Sequence, residues 1–463
     1  MNVDTIRSVY FIGAGGIGMS ALERYFLSKG KVVAGYDRTP SELTEQLMRE
    51  GALLHFEENT DLIPEACKDP ATTLVVYTPA IPPTHRELTY FREHGFELHK
   101  RAQVLGVITR SDRGLCVAGT HGKTTTSTMA AHLLYESHVG CTAFLGGISQ
   151  NYGTNLLLST RSDLVVIEAD EFDRSFLRLW PDVAVVTSAD ADHLDIYGTH
   201  EAVKEAFSQF VRQIRPGGSL VIKQGVDILL DNPDITVYRY AYSTPCDFYA
   251  RNIRLIGGHY SYDVVTPDGV VEQCTLGVPG WVNIENSVAA VAAVWCAAHH
   301  EGQSLDAARV REALASFSGV KRRFEFYINT PRQVYMDDYA HHPRELAATL
   351  TSVRQMFPGR RVTALFQPHL YTRTRDFYVE FAEALSHADE VALLPIYPAR
   401  EEPIPGVTSE LIAERVTVPC RIVERSELAR TVAAMDTDVV VSFGAGNIDA
   451  CCEAIAEALR PKA

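Results

Sequence analysis

The stretch Val117-Ala-Gly-Thr-His-Gly-Lys-Thr-Thr-Thr126 constrains this chain more than any other. The apolar run Gly114-Leu-Cys-Val117 reads as a buried strand, and Ser127-Thr-Met-Ala-Ala-His-Leu-Leu134 is spaced like a helix with one buried face. A strand that turns through glycines into a helix opening on Lys-Thr is a phosphate cradle. Backbone N–H groups and the helix N-terminus face the anion, Lys123 adds a point charge, and the Thr124 hydroxyl can reach a Mg2+. The full Gly-x4-Gly-Lys pattern requires glycine where Val117 stands, so Gly119-x-x-Gly122-Lys123-Thr124 is a shortened form of that loop. The chain is expected to bind a nucleoside triphosphate, with Lys123 in a solvent-facing loop.

A chain of 463 residues is too long for one hydrophobic core and implies two to four domains. Its net charge of −15, without a long basic run, argues against nucleic-acid or anionic-membrane binding, which needs a cationic patch. Nine cysteines are scattered without a Cys-x-x-Cys pair, several inside apolar runs, which predicts a reducing cytoplasm and no zinc. The N-terminus lacks the pattern of a signal peptide, and the longest apolar run, Val288 to Ala298, is short of a membrane span. A cytoplasmic protein is expected.

Taken in order, Ser8-Val-Tyr-Phe-Ile12 reads as a buried strand, then Gly13-Ala-Gly15-Gly16-Ile-Gly18, an apolar helix over Met19–Leu27, and a second strand ending in Asp37. In such a βαβ unit the glycines admit a pyrophosphate and the acid reaches a ribose hydroxyl, so NAD and other nucleoside diphosphates both remain open. Leu74-Val-Val-Tyr-Thr78 is a further strand, and Pro79-Ala-Ile-Pro-Pro83 is a loop at its C-terminal, ligand-binding end. This first domain is expected over 1–107. In a second, over 108–319, Asp163–Glu168 is a strand that places Glu168 where a Mg2+-linked acid is needed. The strand Pro181–Thr187 feeds Asp190, Asp192, His193 and Asp195, a run suited to metal or phosphate. Residues 236–278 suggest an antiparallel appendage, and a long apolar helix opens on Asn283 and Asn286. A third domain, 320–463, alternates strands and helices, and its notable polar residues stand at strand C-terminal ends. They include Asp337, Asp338, Tyr339 and His341 after one strand and His369, Arg373 and Arg375 after another.

Six motifs occur here in the order in which they occur in the Mur ligases: Gly119-Thr-His-Gly-Lys-Thr-Thr125, Glu168-Ala-Asp-Glu171, Asp192-His193-x-Asp195, Asn283-x-x-Asn286, Arg322-Arg323-Phe and Asp338-Tyr-x-His-His-Pro343. The resemblance spans essentially the whole chain. It implies a three-domain α/β fold, with Rossmann-like N- and C-terminal domains flanking a central P-loop-type ATPase. The first domain would take a UDP-sugar, the second ATP, and a mobile third the incoming amino acid. Phe366-Gln-Pro-His369-x-Tyr-x-Arg373-Thr-Arg375-Asp376 and Gly444-Ala-Gly-Asn-Ile448 resemble the members of the family that take L-alanine.

The activity implied is ATP-driven amide formation in peptidoglycan precursor synthesis, through an acyl phosphate on the lactyl carboxylate of UDP-N-acetylmuramate. Gly13, Gly15, Gly16, Gly18, Asp37 and Thr78 would then face the UDP-sugar rather than NAD. Gly119, Thr120, Gly122, Lys123, Thr124 and Thr125 would hold the ATP phosphates, with Asn283 and Asp338 orienting adenosine and its phosphates. Two Mg2+ ions are implied, one on Thr124 and Glu168 and one on Glu168 and His193. Lys123, His121 at the reacting carboxylate, Arg322 or Arg323, and His341 would carry the chemistry; Tyr339, His341, His369, Arg373 and Arg375 would hold the amino acid. The chain departs from the family's usual residues at Val282, Ser188 and Leu370, and the position of the carbamylated lysine of sister ligases is Ser208. Only small-molecule partners are implied, for a monomer or homodimer. Two readings outside this class, an NAD-dependent oxidoreductase and a nucleotide switch, leave the phosphate loop or the three ligand-edged domains unexplained.

Overall fold

The computed structural model describes residues 5–78, 81–191, 194–256, 259–399 and 401–460. The apolar runs become strands of three sheets. The first holds β1 (Ser8–Ile12), β2 (Val32–Tyr36), β3 (Leu53–His55), β4 (Thr73–Tyr77) and β5 (Leu98–Lys100), in the order β3-β2-β1-β4-β5. Every pairing is parallel. β1 is buried at all its residues, which is why it reads as an unbroken apolar run. Strand order reverses between β1 and β4, so the switch point falls at their C-terminal ends, at Gly13 and Thr78. α1 (Ile17–Ser28) follows the glycine turn, and α2 (Arg101–Ser111) leads into the second sheet.

The second sheet comprises β6 (Arg113–Ala118), β7 (Thr142–Phe144), β8 (Leu156–Leu157), β9 (Leu164–Ala169), β10 (Pro181–Val186), β11 (Ser219–Lys223), β12 (Thr236–Ala241), β13 (Phe248–Ile256), β14 (His259–Thr266) and β15 (Gly269–Thr275). β6 lies between β9 and β10, parallel to both, and α3 (Lys123–Glu136) follows it. The expected antiparallel appendage over 236–278 needs correction at its first strand, β12. β12 runs parallel to β11, and the start of β13 runs parallel to β12. The apolar–polar alternation there reflects exposure: the first four residues of β12 are exposed or half-buried, unlike the buried central strands. β13, β14 and β15 are neighbours in the sheet, each separated from the next by two residues, connections so short that the chain must reverse at both. α4 (Trp281–His300) is buried from Val288 to Ala298 as its composition requires, and among the described residues no helix is long and apolar enough to cross a membrane.

The third sheet holds β16 (Glu325–Asn329), β17 (Val334–Asp338), β18 (Val362–Phe366), β19 (Glu390–Leu393), β20 (Cys420–Ile422) and β21 (Val439–Phe443), in the order β16-β17-β21-β18-β19-β20. β16 is antiparallel to β17 and the rest is parallel. Alternate residues feed two cores: Met336 and Ala364 join Leu346, Leu350 and Phe381 of α5 (Pro343–Met356) and α6 (Tyr371–Leu385), while Tyr335 and Leu365 join Leu428, Val432 and Ile455. Both sheet faces are therefore covered, as a parallel sheet demands. Two compact units emerge from the contacts: Met1–Asn252 with Tyr262–Cys274 and Glu285–Phe317, and Ile253–Ser261 with Thr275–Ile284 and Ser318–Ala463. All nine cysteines are free thiols.

Candidate active site

Between Ala118, the last residue of β6, and Lys123, the first of α3, the loop must turn inside a crowded edge. Gly119 has φ +146°, and a Cβ there would lie 1.9 Å from the Thr187 hydroxyl, so no other residue fits. The end of β10 stitches the loop down. Thr187 N–H donates to the Ala118 carbonyl (3.0 Å), His121 N–H donates to Ser188 Oγ (2.9 Å), and the Thr120 and Ser188 hydroxyls are 2.9 Å apart. Ser188 thus fastens the loop itself. His121 Nε2 stands 3.6 Å from Asp190 Oδ2. Thr124 and Thr125 lie in the first turn of α3, and Thr126 donates to Asn286 Oδ1 at 3.4 Å.

Lys123 is not in a solvent-facing position. Its Nζ donates to the Gly119 carbonyl (2.7 Å) and to Glu171 Oε1 (2.9 Å), with Glu171 Oε2 in ion-pair contact at 2.7 Å; the lysine side chain is 14% exposed and that of Glu171 1%. Burial works against the ammonium, but Glu171, Asp170 and Glu168 outweigh it, and the Lys123 pKa is raised. Tyr197 holds the far end by donating to the Glu171 carbonyl at 2.6 Å. The buried ion pair is the feature that the loop motif alone could not reveal.

Glu168 sits on β9 in register with Val117 of β6, at the edge where the loop begins. A Cβ on Gly146 would lie 1.9 Å from Glu168 Oε2, so a glycine cradles the carboxylate. A hard cation such as Mg2+ takes oxygen donors and few protein ligands when it also binds phosphates. The Glu168 carboxylate and Thr124 hydroxyl are donors of that kind. His193 and Asp192 lie outside the described residues, and among those described no trio of His, Cys, Asp or Glu gathers as a metal site. Ser208 is buried, donating to the Lys204 carbonyl and accepting from Leu229 N–H, both at 3.0 Å.

At the first sheet's switch point, Gly13 and Ala14 N–H groups donate to the Tyr36 carbonyl (2.8 and 3.0 Å), and Thr78 packs over Gly13. Asp37 accepts from the Gly15 N–H at 2.6 Å and from Thr39 N–H at 3.1 Å, so its carboxylate closes on the glycine turn itself. Gly16 caps α1 without a side-chain bond. Pro79 and Ala80 fall outside the described residues.

In the third sheet the acids end β17 and the cluster gathers around α5 and α6. Arg322 is wholly engaged in structure: Nε meets buried Asp337 at 3.1 Å and Nη2 donates to the Gly444 carbonyl at 2.7 Å. Both Arg322 and Arg323 lie over the Tyr339 ring, at 5.0 and 5.2 Å. Asp338 accepts from Thr349 at 2.6 Å; burial pushes its carboxyl up to about 6 against the pull of Arg323 and Thr349. Asn283 donates to the Pro279 carbonyl at 2.6 Å. His341 Nδ1 is 3.1 Å from the Tyr339 carbonyl, which can only accept, so Nε2 carries the lone pair. Burial, with Arg373 adding and Glu345 opposing, drives His341 down to about 3, and it is neutral at physiological pH.

His341 and His369 are 6.4 Å apart, Arg373 Nη1 is 3.3 Å from His369 Nδ1, and His369 stacks on Tyr397 at 5.8 Å. Leu370 takes φ +71°, a left-handed backbone held by its N–H on the Tyr397 carbonyl (3.0 Å). Arg375 is exposed and donates to its neighbour Asp376 at 2.7 Å; the structure does not bring it to this cluster. Tyr397, Ser188, Glu171 and Asn286 belong to the two constellations; Glu171 and Asn286 stand in sequence motifs without a role read for Glu171, Ser188 is visible only as a departure, and Tyr397 has no sequence signal.

The neutral His341 gives a pH prediction. A histidine whose folded pKa lies below its unfolded value stabilises above the unfolded value, and that stability is lost as pH falls through the window from 6.5 towards 3. Asp338 works oppositely, its raised pKa withdrawing stability as pH rises from 3.8 to about 6. Replacing His341 with asparagine should therefore remove about 2 kcal/mol of the destabilisation met between pH 6.5 and 5. Melting curves at both pH values check this; a parent and variant that lose stability equally would contradict it.

A parallel sheet feeding a glycine loop and lysine-led helix, an acid on the adjacent strand, and a second αβ sheet with a histidine–arginine cluster define an ATP-using synthetic enzyme. The chain matches three successive family patterns, described as Mur ligase family catalytic domain (residues 8–113), Mur ligase middle domain (117–294) and Mur ligase glutamate ligase domain (322–446). It belongs to the Mur ligase family. It is 56% identical to the UDP-N-acetylmuramate–L-alanine ligase of Phocaeicola vulgatus over 97% of both chains, and 55% identical to that of Parabacteroides distasonis over 99% of this chain and 98% of the relative. Its fold resembles the crystal structure of UDP-N-acetylmuramate-alanine ligase from Thermotoga maritima, with TM-score 0.81 and 26% identity over 98% of this chain and 100% of that one. A murein peptide ligase from Psychrobacter arcticus shares the fold at TM-score 0.70 over 98% of each.

Proposed function

We propose that this chain joins L-alanine to the lactyl carboxylate of UDP-N-acetylmuramate, using ATP, in peptidoglycan precursor synthesis. What supports the reading most is the pairing of a phosphate loop, built on Gly119–Thr124 beside Glu168, with relatives of that activity at 56% identity over 97% of the chain. A carboxylate is too poor an electrophile for an amine. A lactyl oxygen therefore attacks the γ-phosphorus of ATP, the bond to the β-phosphate oxygen breaks, and ADP leaves. The nitrogen of neutral L-alanine then attacks the acyl carbon, phosphate departs, and the nitrogen sheds a proton.

Phosphoryl transfer between anions depends on charge neutralisation more than on covalent help. Lys123 supplies a cation at the loop, and Arg323, free of the structural bonds that engage Arg322, is the better candidate for the second. Two Mg2+ ions, held by Thr124 with Glu168 and by Glu168 with His193, would neutralise the phosphates and the lactyl carboxylate. His121, in the loop, is assigned to the carboxylate. In the third sheet Arg373 would pair with the L-alanine carboxylate, and the lone pair on His341 Nε2 would accept from its amine.

Phosphate release with ATP, Mg2+, UDP-N-acetylmuramate and a panel of amino acids tests the reading, and L-alanine should stand out. Glu168→Gln and His193→Ala should each shift the Mg2+ titration by an order of magnitude or more and slow acyl-phosphate formation. Unchanged Mg2+ curves in both variants would place the ion elsewhere.

A further inference from the structure

The third glycine of the N-terminal turn has an unusual neighbour. A Cβ on Gly18 would lie 2.7 Å from both Cζ and Nε of Arg101, the first residue of α2, and Arg101 Nε donates to the Gly18 carbonyl at 2.9 Å. The guanidinium thus lies flat on the first turn of α1, in a space that exists because residue 18 has no side chain. It is half-buried, and among the described residues no carboxylate is within ion-pair distance of it. Asp170 and Glu168, at the C-terminal end of β9, are the anions that interact with it from farther off. Arg101 therefore stands between the glycine turn of the first sheet and the acidic edge beside the phosphate loop, both within one compact unit.

A guanidinium sunk this far without an ion-pair partner is costly unless an anion arrives to meet it. The fork geometry of Arg suits phosphate and carboxylate oxygens, and two Nη groups remain after Nε is spent on Gly18. We infer that Arg101 is a positioning residue for the UDP-sugar, its Nη groups meeting an anionic oxygen of the substrate as it runs from the glycine turn towards the phosphate loop. Gly18 is then glycine in order to seat Arg101. The assignment rests on the functional reading above and adds to it a residue outside the glycine motif. The pyrophosphate and the lactyl carboxylate offer the same oxygen chemistry, and the test separates them.

Binding of UDP, UDP-N-acetylmuramate and ADP is measured by calorimetry for the parent, Arg101→Ala, Arg101→Lys, Gly18→Ala and the double variant, with melting temperatures alongside. Arg101→Ala should weaken UDP-N-acetylmuramate by about tenfold or more, the loss of a charge-assisted bond, and raise its KM while leaving that for ATP and ADP binding within about twofold. Arg101→Lys should recover part of the loss. Gly18→Ala should mimic Arg101→Ala by pushing the guanidinium aside, and the double variant should be no weaker than Arg101→Ala alone. Loss on UDP as well identifies the pyrophosphate as partner; loss on UDP-N-acetylmuramate alone identifies the lactyl carboxylate. If the parent binds both ligands and Arg101→Ala binds them equally well, the assignment is overturned. If Gly18→Ala costs as much without Arg101 as with it, the two residues do not act together and the assignment is likewise overturned. A parent that binds neither ligand overturns the functional reading, and this assignment with it.

Discussion

Lys123→Ala is expected to lower turnover by ~10²–10³-fold, the usual consequence of removing one cation from a charge-rich transition state. It should also lower the melting temperature, because the ammonium is the ion-pair partner of Glu171, whose side chain is 1% exposed. Removing one member of a buried pair strands the other, at a cost of about 3–5 kcal/mol. The catalytic and structural losses can be pulled apart. Lys123→Met combined with Glu171→Gln removes both charges, so the melting temperature should recover while turnover stays low. Phosphate release and thermal melting on the three proteins decide it. Activity within a few-fold of the parent in either Lys123 variant would remove the lysine from the phosphoryl-transfer step. A melting temperature that does not recover in the double variant would mean that Glu171 does more than hold Lys123.

The two features of that loop differ in how far sequence could expose them. The glycines and the lysine follow one another in the chain between an apolar strand and a helix, so the cradle is legible from local pattern, although α3 is buried on every side from Thr126 to Leu134 and not on one face as its spacing suggested. Glu171 pairs with Lys123 across 48 residues of sequence, and Ser188 fastens His121 across 67, through strands whose adjacency only the sheet order supplies. Arg101 meets Gly18 across 83 residues for the same reason. In the third sheet, Arg322 and Arg323 are neighbours of one type, and nothing local says that Arg322 would be consumed by Asp337 and Gly444. Arg375 looked equivalent to Arg373 two residues earlier, yet a helix sends residues two apart to different faces, and Arg375 pairs with Asp376 in solvent. The antiparallel expectation for 236–278 failed at β12 because alternation reports which face is wet, not which way the neighbouring strand runs. The strands themselves were within a residue or so of their places, since continuous burial leaves an apolar run that needs no partner to be seen.

Arg373→Ala should raise the KM for L-alanine by about 30–100-fold and leave the KM for ATP within about twofold, because a charge-assisted pair with a carboxylate is worth roughly 2–3 kcal/mol. Arg373 is held in place for such a pair by its contact with His369, which is itself stacked on Tyr397 and 6.4 Å from neutral His341. The reach of this cluster also bears on which acceptor is used, since a murein peptide ligase shares the fold at TM-score 0.70 and the fold alone does not separate the two activities. A single small amino acid offers one carboxylate and one amine, so it must be gripped by donors a few ångströms apart, which the cluster provides. A tripeptide carries its α-carboxylates farther from the attacking nitrogen and calls for a longer groove. L-Alanine should therefore support phosphate release, the L-Ala-γ-D-Glu-containing tripeptide should not, and L-serine should be a weak substitute. Glycine lacks one methyl, a difference worth ~1–3 kcal/mol, so it should be a poor but measurable substrate. With Arg373 gone, the residual L-alanine activity should lose its preference for free carboxylate over L-alaninamide. A tripeptide that outperforms L-alanine, or an Arg373→Ala enzyme whose L-alanine dependence is unmoved, would mean that this cluster grips something other than the acceptor.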